Sequence, residues 1–167
     1  MIFRLTRALS AGVRAGELEA LPLHVNPLFD WSAHLFLVGR SRFILVSNTA
    51  SLLSAVASCR GVTGRARFCE LALDAARRCV ESHGVGFAPE DGGSVRFAKA
   101  LSRSVSGSMG ELARQAEPWL SEGELTLPEV GRRLNDTLLS ALAAGGSHGY
   151  GKPREAFRAL VAGAGPT

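Results

Sequence analysis

Two neighbouring apolar segments joined by a short turn constrain the fold of this chain more than any other feature. From Trp31 to Val38 the side chains alternate, so that Trp31 and every second residue after it share one face of a predicted β-strand. Gly39-Arg40-Ser41 supplies a turn. The next segment, 43–46, is apolar on both faces, as an interior strand would be. The pattern predicts a β-hairpin inside a sheet, with Trp31 in the core.

Short apolar runs and apolar stripes at helical spacing indicate the remaining elements. They predict strands at 2–6 and 94–101, and helices that begin near residues 7, 65, 104, 127 and 153. Residues 51–58 fit two structures, a third strand of the sheet or a helix capped by Asn48 or Thr49. The pattern does not separate these two alternatives.

Proline and capping residues mark the expected helix boundaries. Pro118 is predicted to end or kink the helix that contains it. Thr126 and Glu129 have the spacing of a capping box, which predicts a helix start at this point. This helix is expected to bury Leu138 along its apolar stripe and to stop at the two glycines 145–146.

These elements together predict a single α+β domain over residues 1–167. Its expected architecture is a short antiparallel sheet, built from the central hairpin near 31–47 and the strand near 94–101, covered by about four helices. A chain of 167 residues that is 46% hydrophobic can bury a core without disulfides or a structural metal. No cofactor is predicted.

Hydropathy and cysteine usage indicate the compartment. No apolar stretch approaches the roughly 20 residues that a bilayer span requires, so no membrane association is predicted. The chain has three cysteines, and Cys69 and Cys79 lie too far apart along one predicted helix to form a disulfide. We therefore expect a cytoplasmic protein.

The charge distribution suggests an anionic partner. The chain has 19 Lys and Arg residues against 15 Asp and Glu residues, and its pI is about 9.5. Two segments, 31–69 and 92–110, contain cations but no acid. If these segments lie side by side on the sheet, they predict a nucleic-acid-binding surface. Its candidate residues are Arg40, Arg42, Arg96 and Lys99, with Arg103 beside them. Ordinary solvated surface is the alternative.

The segment 111–129 has the opposite sign, because it carries five glutamates and one arginine. It is complementary to the basic segments, which favours a homo-oligomer or a protein partner as a further interpretation.

The segment 103–110 is the candidate site for a small anion. It is predicted to join a strand to a helix, so that free amides at Gly107, Ser108 and Met109 would point at the ligand. It contains neither a Walker loop nor a nucleophile elbow, and a simple helix cap is the alternative. The predicted anion ligands are Arg103, Ser104, Ser106, Gly107 and Ser108.

An enzymatic alternative uses the same segment. A small hydrolase or phosphoryl-processing enzyme could be built around 104–110, with His34 or His148 as the base. The serines and histidines show no spacing that identifies a catalytic set. Cys79 and His83 have the spacing of half a metal site, but no further ligand pair accompanies them, so no metal site is predicted.

Several short motifs resemble a family of small bacterial proteins known as a domain of unknown function. They are Phe29-x-Trp31-x-Ala33-His34-Leu35, Arg42 to Asn48, Arg103-Ser104-Val105 with Gly107-Ser108-Met109, Leu134 to Thr137, and Tyr150 with Pro153. The chain departs from the family's pattern at Gly110-Glu111, where the family has Asn-Asp. The resemblance implies a free-standing prokaryotic cytoplasmic protein and brings no activity with it.

Overall fold

The computed structural model describes residues 1–88, 94–145 and 149–163, which form a five-stranded sheet with helices on both faces. The strand order across the sheet is β4-β3-β2-β1-β5. The strands are β1 (Ile2–Leu5), β2 (Asp30–Val38), β3 (Ser41–Asn48), β4 (Ser54–Ser58) and β5 (Arg96–Lys99). The helices are α1 (Arg7–Gly12), α2 (Arg65–Glu81), α3 (Arg103–Glu122), α4 (Leu127–Leu134) and α5 (Pro153–Gly163), with 3₁₀ turns at Pro27–Phe29 and Ser140–Gly145.

The α+β class is confirmed, but the sheet is mixed rather than antiparallel. β2 pairs with β3, and β3 with β4, in antiparallel fashion, whereas β1 lies parallel to both β2 and β5. The prediction of a wholly antiparallel sheet is wrong because α1 and the segment after it return the chain to the starting end of β1, which makes β2 parallel to it. The open alternative at 51–58 is resolved as strand β4. The described residues form five α-helices, where about four were expected.

Each face of the sheet carries its own apolar core. On one face, α1, α2 and α5 cover the larger core, which includes Phe3, Trp31, Phe68 and Phe157. Trp31 is fully buried there, as predicted. On the other face, α3 and α4 cover a smaller core around Leu45. The chain therefore forms three layers, with the sheet in the middle.

Two of the predicted helix ends lie elsewhere. Pro118 stands inside α3, which continues to Glu122. A proline removes only one intrahelical bond, and Trp119 and Leu120 pack against the smaller core and hold the last turn in place. α4 ends at Leu134 rather than at residues 145–146, and Leu138 is 59% exposed instead of buried.

The start of α4 agrees with the sequence. The Glu129 carboxylate accepts hydrogen bonds from the Thr126 backbone N–H at 2.8 Å and from its hydroxyl at 2.7 Å. These bonds lower the pKa of Glu129, because they stabilise its charged form.

A buried ion pair joins β1 to β2. The Arg4 guanidinium donates to both carboxylate oxygens of Asp30, at 2.7 and 2.8 Å, and both side chains are 1% exposed. Arg4 also donates to the carbonyls of Leu21 and Pro22, while Asp30 accepts from the backbone N–H of His24. The pair therefore fixes the segment that follows α1 against the sheet.

Candidate anion-binding site

A cleft of about 630 Å³ opens at the carboxyl ends of the parallel strands β1 and β5. The chain leaves these neighbouring strands in opposite directions: α1 packs in the larger core, and α3 in the smaller core on the opposite face. Such a divergence leaves a crevice outside the strand ends, where open α/β sheets commonly bind their ligands. Leu5 and Lys99 form its floor at the two strand ends.

One face of α1 and the residues just after it form the wall of this cleft. Arg7, Ser10 and Ala11 line it, and their spacing of three and four residues places them on one side of α1; Arg14, which follows the helix, lines it as well. The opposite side is buried through Leu9 and Val13 in the larger core. The buried face thus orients the basic face of α1 toward the cleft.

The charge of the cleft is positive. Arg7, Arg14 and Lys99 contribute three cations from two separate parts of the chain, and no acid among the described residues lines the cleft. Within the part of the chain that the structure describes, none of the three forms a salt bridge. Arg14 has a φ of +53°, an uncommon conformation for a residue with a side chain, which turns the chain at the end of α1. The arrangement can hold an anion.

The predicted anion segment has a different local structure from the expected one. α3 begins at Arg103, and Ser102 caps it by accepting a hydrogen bond from the Val105 N–H at 3.2 Å. Gly107, Ser108 and Met109 therefore lie beyond the first turn, where their amides are committed to intrahelical bonds. The expectation of free loop amides is wrong at all three positions.

The remaining candidate ligands of this segment lie in the exposed first turn of α3. The Ser106 hydroxyl donates to the Ser102 carbonyl at 3.1 Å, as a helical serine commonly does. Arg103 and Ser104 are exposed. The lining of the cleft ends at Ala100, before α3 begins. Anion binding by these side chains stays a prediction.

The four predicted nucleic-acid-binding residues fall into two separate groups. Arg40 and Arg42 lie at the turn and start of β3, whereas Arg96 and Lys99 lie on β5. β2 and β1 separate these strands by roughly 14 Å across the sheet. The condition for a single basic face, that the segments lie side by side, is therefore not met.

The two residues on β5 have different surroundings. Arg96 forms an exposed ion pair with Glu19 at 3.1 Å. Lys99 lines the cleft.

The histidines and cysteines show no catalytic arrangement in the described residues. His34 is half-buried, which lowers its pKa, and its Nδ1 atom has no hydrogen-bond partner among the described residues. His148 lies outside the described residues. Burial raises the pKa of the Cys79 thiol to about 12, so it is protonated and unreactive at neutral pH. His83 uses its Nδ1 to contact the Cys79 carbonyl at 2.9 Å, which turns the ring toward the backbone.

Sequence reasoning missed Arg7 and Arg14. The helical spacing of residues 7, 10 and 11 could have indicated the face that carries Arg7, whereas Arg14 lies beyond α1 in a backbone conformation that the spacing does not predict. Their convergence with Lys99 was not readable, since it depends on the pairing of β1 with a strand more than ninety residues away along the chain.

Comparison with known proteins places most of the chain in one family. A family model described as a domain of unknown function, DUF6933, matches residues 2–156. No curated protein and no solved structure matches the chain significantly. Among the described residues, no helix has the length and apolar character needed to cross a membrane.

Proposed function

The chain belongs to this family of unknown function, and we propose that it is a non-enzymatic binding module for an anionic ligand held at the cleft between β1 and β5. One observation carries the proposal. Arg7, Arg14 and Lys99 converge on a cleft whose described lining has no acid, at the place in the sheet where strand ends and diverging connections form a crevice.

The chemistry of the cleft favours a phosphoryl group as the bound anion. Two guanidinium groups can each donate two parallel hydrogen bonds to phosphate oxygens, and an ammonium group adds a compact charge. The volume of 630 Å³ is within the usual range of small-ligand sites. A phosphorylated small molecule and the backbone of a nucleic acid would both present this group.

Titration with pyrophosphate, followed by isothermal calorimetry, tests the proposal. Arg14→Ala and Lys99→Ala should each weaken binding about tenfold or more, since a hydrogen bond to a charged group is worth about 1.5–3 kcal/mol. Arg96→Ala is the matched control, because Arg96 lies on the same strand as Lys99 but does not line the cleft. Equal affinity in all four proteins would contradict the proposal.

Arg103→Ala separates this cleft from the site predicted at 103–108. If pyrophosphate binding is lost in Arg103→Ala and kept in Arg14→Ala, the ligand binds at the first turn of α3 instead. We expect binding to be lost in Arg14→Ala and kept in Arg103→Ala.

Fluorescence anisotropy with labelled oligonucleotides, at low and high salt, tests whether the anion is a nucleic acid. Binding that falls steeply with salt, and that both Arg40→Ala and Arg96→Ala weaken, would indicate a surface wider than the cleft. Binding weakened by Arg14→Ala alone would indicate capture of a terminal phosphate. Absence of oligonucleotide binding, with pyrophosphate still bound, would leave small phosphorylated molecules as the ligand class.

We also propose a bacterial protein that works in a reducing cytoplasm. Cys59, Cys69 and Cys79 are all free thiols, which supports this location. The alternative, a hydrolase built on 104–110, has no specific observation in its favour among the described residues.

A further inference from the structure

Strand β4 forms an edge of the sheet, and its hydrogen-bond alternation determines which backbone groups that edge presents. The bonds next to both ends of the strand fix this alternation. The Asn48 N–H donates to the Leu53 carbonyl at 2.8 Å, and the Cys59 N–H donates to the Arg42 carbonyl at 3.0 Å. In an antiparallel pair every second residue bonds the same neighbour. The backbone groups that point away from β3 are therefore those of Ser54, Val56 and Ser58.

Only the first of these three residues has its outward backbone groups satisfied. The Asn135 side chain accepts from the Ser54 N–H at 2.7 Å and donates to the Ser54 carbonyl at 3.0 Å, as a residue of a neighbouring strand would. Among the described residues, nothing bonds the outward groups of Val56 and Ser58. Asn135 therefore closes one end of the edge and leaves the rest open.

The open edge lies at the bottom of a cleft of about 500 Å³ between two helices. α2 forms one wall, on the face of the larger core, and α4 forms the other. Gly131 brings α4 close to the strand, because a Cβ atom at this position would lie 3.4 Å from the Ser54 carbonyl oxygen. The side chains along the walls are small or apolar, among them Leu71, Ala75, Leu127 and Pro128.

At the Ser54 end, the cleft continues into a second hollow of about 520 Å³. The two share Ser82, Arg132 and Asn135 in their lining. Arg154 and Arg158 add two cations to this hollow, and Asp136, which pairs with Arg154 at 2.7 Å, is the one acid in its described lining. We call the two hollows together the β4 groove.

We propose that the β4 groove binds an extended, acidic segment of a partner protein. The segment adds to β4 as a further strand and places an acidic side chain or its terminal carboxylate among Arg132, Arg154 and Arg158. Strand addition to an open sheet edge is an established way for a domain to bind peptides: backbone bonds supply affinity, and flanking pockets supply specificity. This inference concerns the sheet edge opposite the anion cleft and does not depend on it.

The charge around the groove determines the acidic character of the segment. Arg78 and Arg132 line the cleft together with one acid, Asp74, which already pairs with Arg78 at 2.8 Å. Including the second hollow, the described lining contains four arginines and two aspartates. Arg132 also pairs with Glu129 at 3.8 Å on the exposed side of α4, and the carboxyl ends of α2 and α4 add partial negative charge nearby, so the positive surplus of the lining is reduced. An acidic segment complements this surface, and a basic one is repelled.

The shape of the groove favours a single strand over a second copy of the chain. The edge is recessed between α2 and α4, so a second β4 that carries its own flanking helices would collide with these walls. Two copies would also bring their groove arginines together. The edge of five residues is roughly 16 Å long, enough for a short extended peptide.

A phage-displayed library of short random peptides, selected against the folded protein, is the probe for this proposal. One selected peptide is then synthesised with a fluorescent label, and its affinity is measured by anisotropy. Selected peptides should be enriched in Asp and Glu next to β-branched residues. In amide-exchange NMR, the Ser58 amide should exchange rapidly in the free protein and become protected when the peptide binds. The Ala57 amide, which bonds β3, should be protected in both states.

Ser58→Pro removes one outward N–H and leaves the bonds to β3 in place, so it should abolish peptide binding. Ser58→Ala keeps that N–H and is the matched control. Arg132→Ala should weaken the peptide about tenfold, whereas Arg133→Ala, which removes the adjacent arginine that stacks on Trp119, should not. Circular dichroism would show whether Ser58→Pro unfolds the protein. In that case, the comparison of Arg132→Ala with Arg133→Ala and the protection of the Ser58 amide by the peptide still test the proposal.

Failure to select any peptide, or selection of peptides whose binding is equal in all these variants, overturns the proposal. A dimer in analytical ultracentrifugation that Ser58→Pro converts to monomer would also overturn it, because the occupant would then be a second copy. Pyrophosphate binding should be unchanged by Ser58→Pro. Failure of this inference is therefore distinguishable from failure of the anion cleft.

Discussion

The two edges of the sheet are protected in different ways. At the β5 edge, the segment around Glu19 runs alongside the strand: the Lys99 N–H donates to the Glu19 carbonyl at 2.9 Å, and Glu19 bridges to Ala98. At the β4 edge, one side chain, Asn135, pairs with one residue, and the following positions stay open. Proteins usually cover or charge their edge strands to prevent association. An edge that is recessed and left open is therefore a feature of functional interest.

The two edges also differ in what holds the covering residues in place, which are the segment around Glu19 at β5 and Asn135 at β4. The segment along β5 is fixed by the buried Arg4–Asp30 pair through the carbonyls of Leu21 and Pro22. The cover of β4 depends on the end of one short helix, α4. The strongly covered β5 edge lies beside the cleft where we propose that an anion binds, and the weakly covered β4 edge lies in the groove where we propose that a strand adds.

Removal of Asp30 should produce the largest effect on stability. Asp30→Ala leaves the Arg4 charge buried without its partner, which typically costs about 3–5 kcal/mol. The free energy of unfolding from urea titration should fall by this amount, and the Lys99 amide should lose protection as the segment along β5 loosens. A loss below about 1 kcal/mol would show that the pair does not hold this edge.

Asn135→Ala should have the next largest effect, and at the opposite edge. It leaves the Ser54 N–H without a partner inside the protein and the Ser54 carbonyl with only the Cys79 thiol, at 3.5 Å, which costs about 1–3 kcal/mol. Exchange of the Ser54 amide should become faster, while that of Lys99 stays unchanged. Asp136→Ala is the control, because its half-exposed pair with Arg154 should contribute less than about 1 kcal/mol. Equal losses in both variants would contradict the role given to Asn135.

The sequence predicts those parts of the structure that depend on residues close together in the chain. The hairpin, the capping box at Thr126 and the stripe of α2 follow from alternation, capping chemistry and helical spacing. The parallel pairing of β1 with β5 does not, because it joins segments more than ninety residues apart. The pairing of Asn135 with Ser54 does not follow from the sequence either, because the two residues lie 81 positions apart in the chain.

His34, in the middle of the sheet, leads to a smaller prediction, which concerns how the free energy of unfolding depends on pH. Burial lowers the pKa of His34, on the central strand β2, from its ordinary value of 6.5. The unfolded chain therefore binds a proton first as the pH falls through 6.5, so the free energy of unfolding should decrease from there down to the folded-state pKa. Above pH 6.5, His34 is neutral in both the folded and the unfolded chain, so it does not change the free energy of unfolding with pH.

Urea titrations on either side of pH 6.5 would measure this decrease. His34→Gln should lessen it, while the difference between the two edges in amide exchange stays as it is. An unchanged pH dependence in this variant would assign the effect to another group.

Glu19→Ala should have the smallest effect, although it alters the residue that covers β5. The Glu19 carboxylate pairs with Arg96 at 3.1 Å, but the two side chains are 71% and 61% exposed, and such pairs contribute about 0–1 kcal/mol. The bond that covers the edge comes from the backbone carbonyl of Glu19, which alanine retains. Protection of the Lys99 amide should therefore persist in Glu19→Ala and disappear in Asp30→Ala. If the Lys99 amide loses protection in both variants, the surface pair holds the segment along β5 together with the buried pair, and the two edges differ less than the geometry indicates.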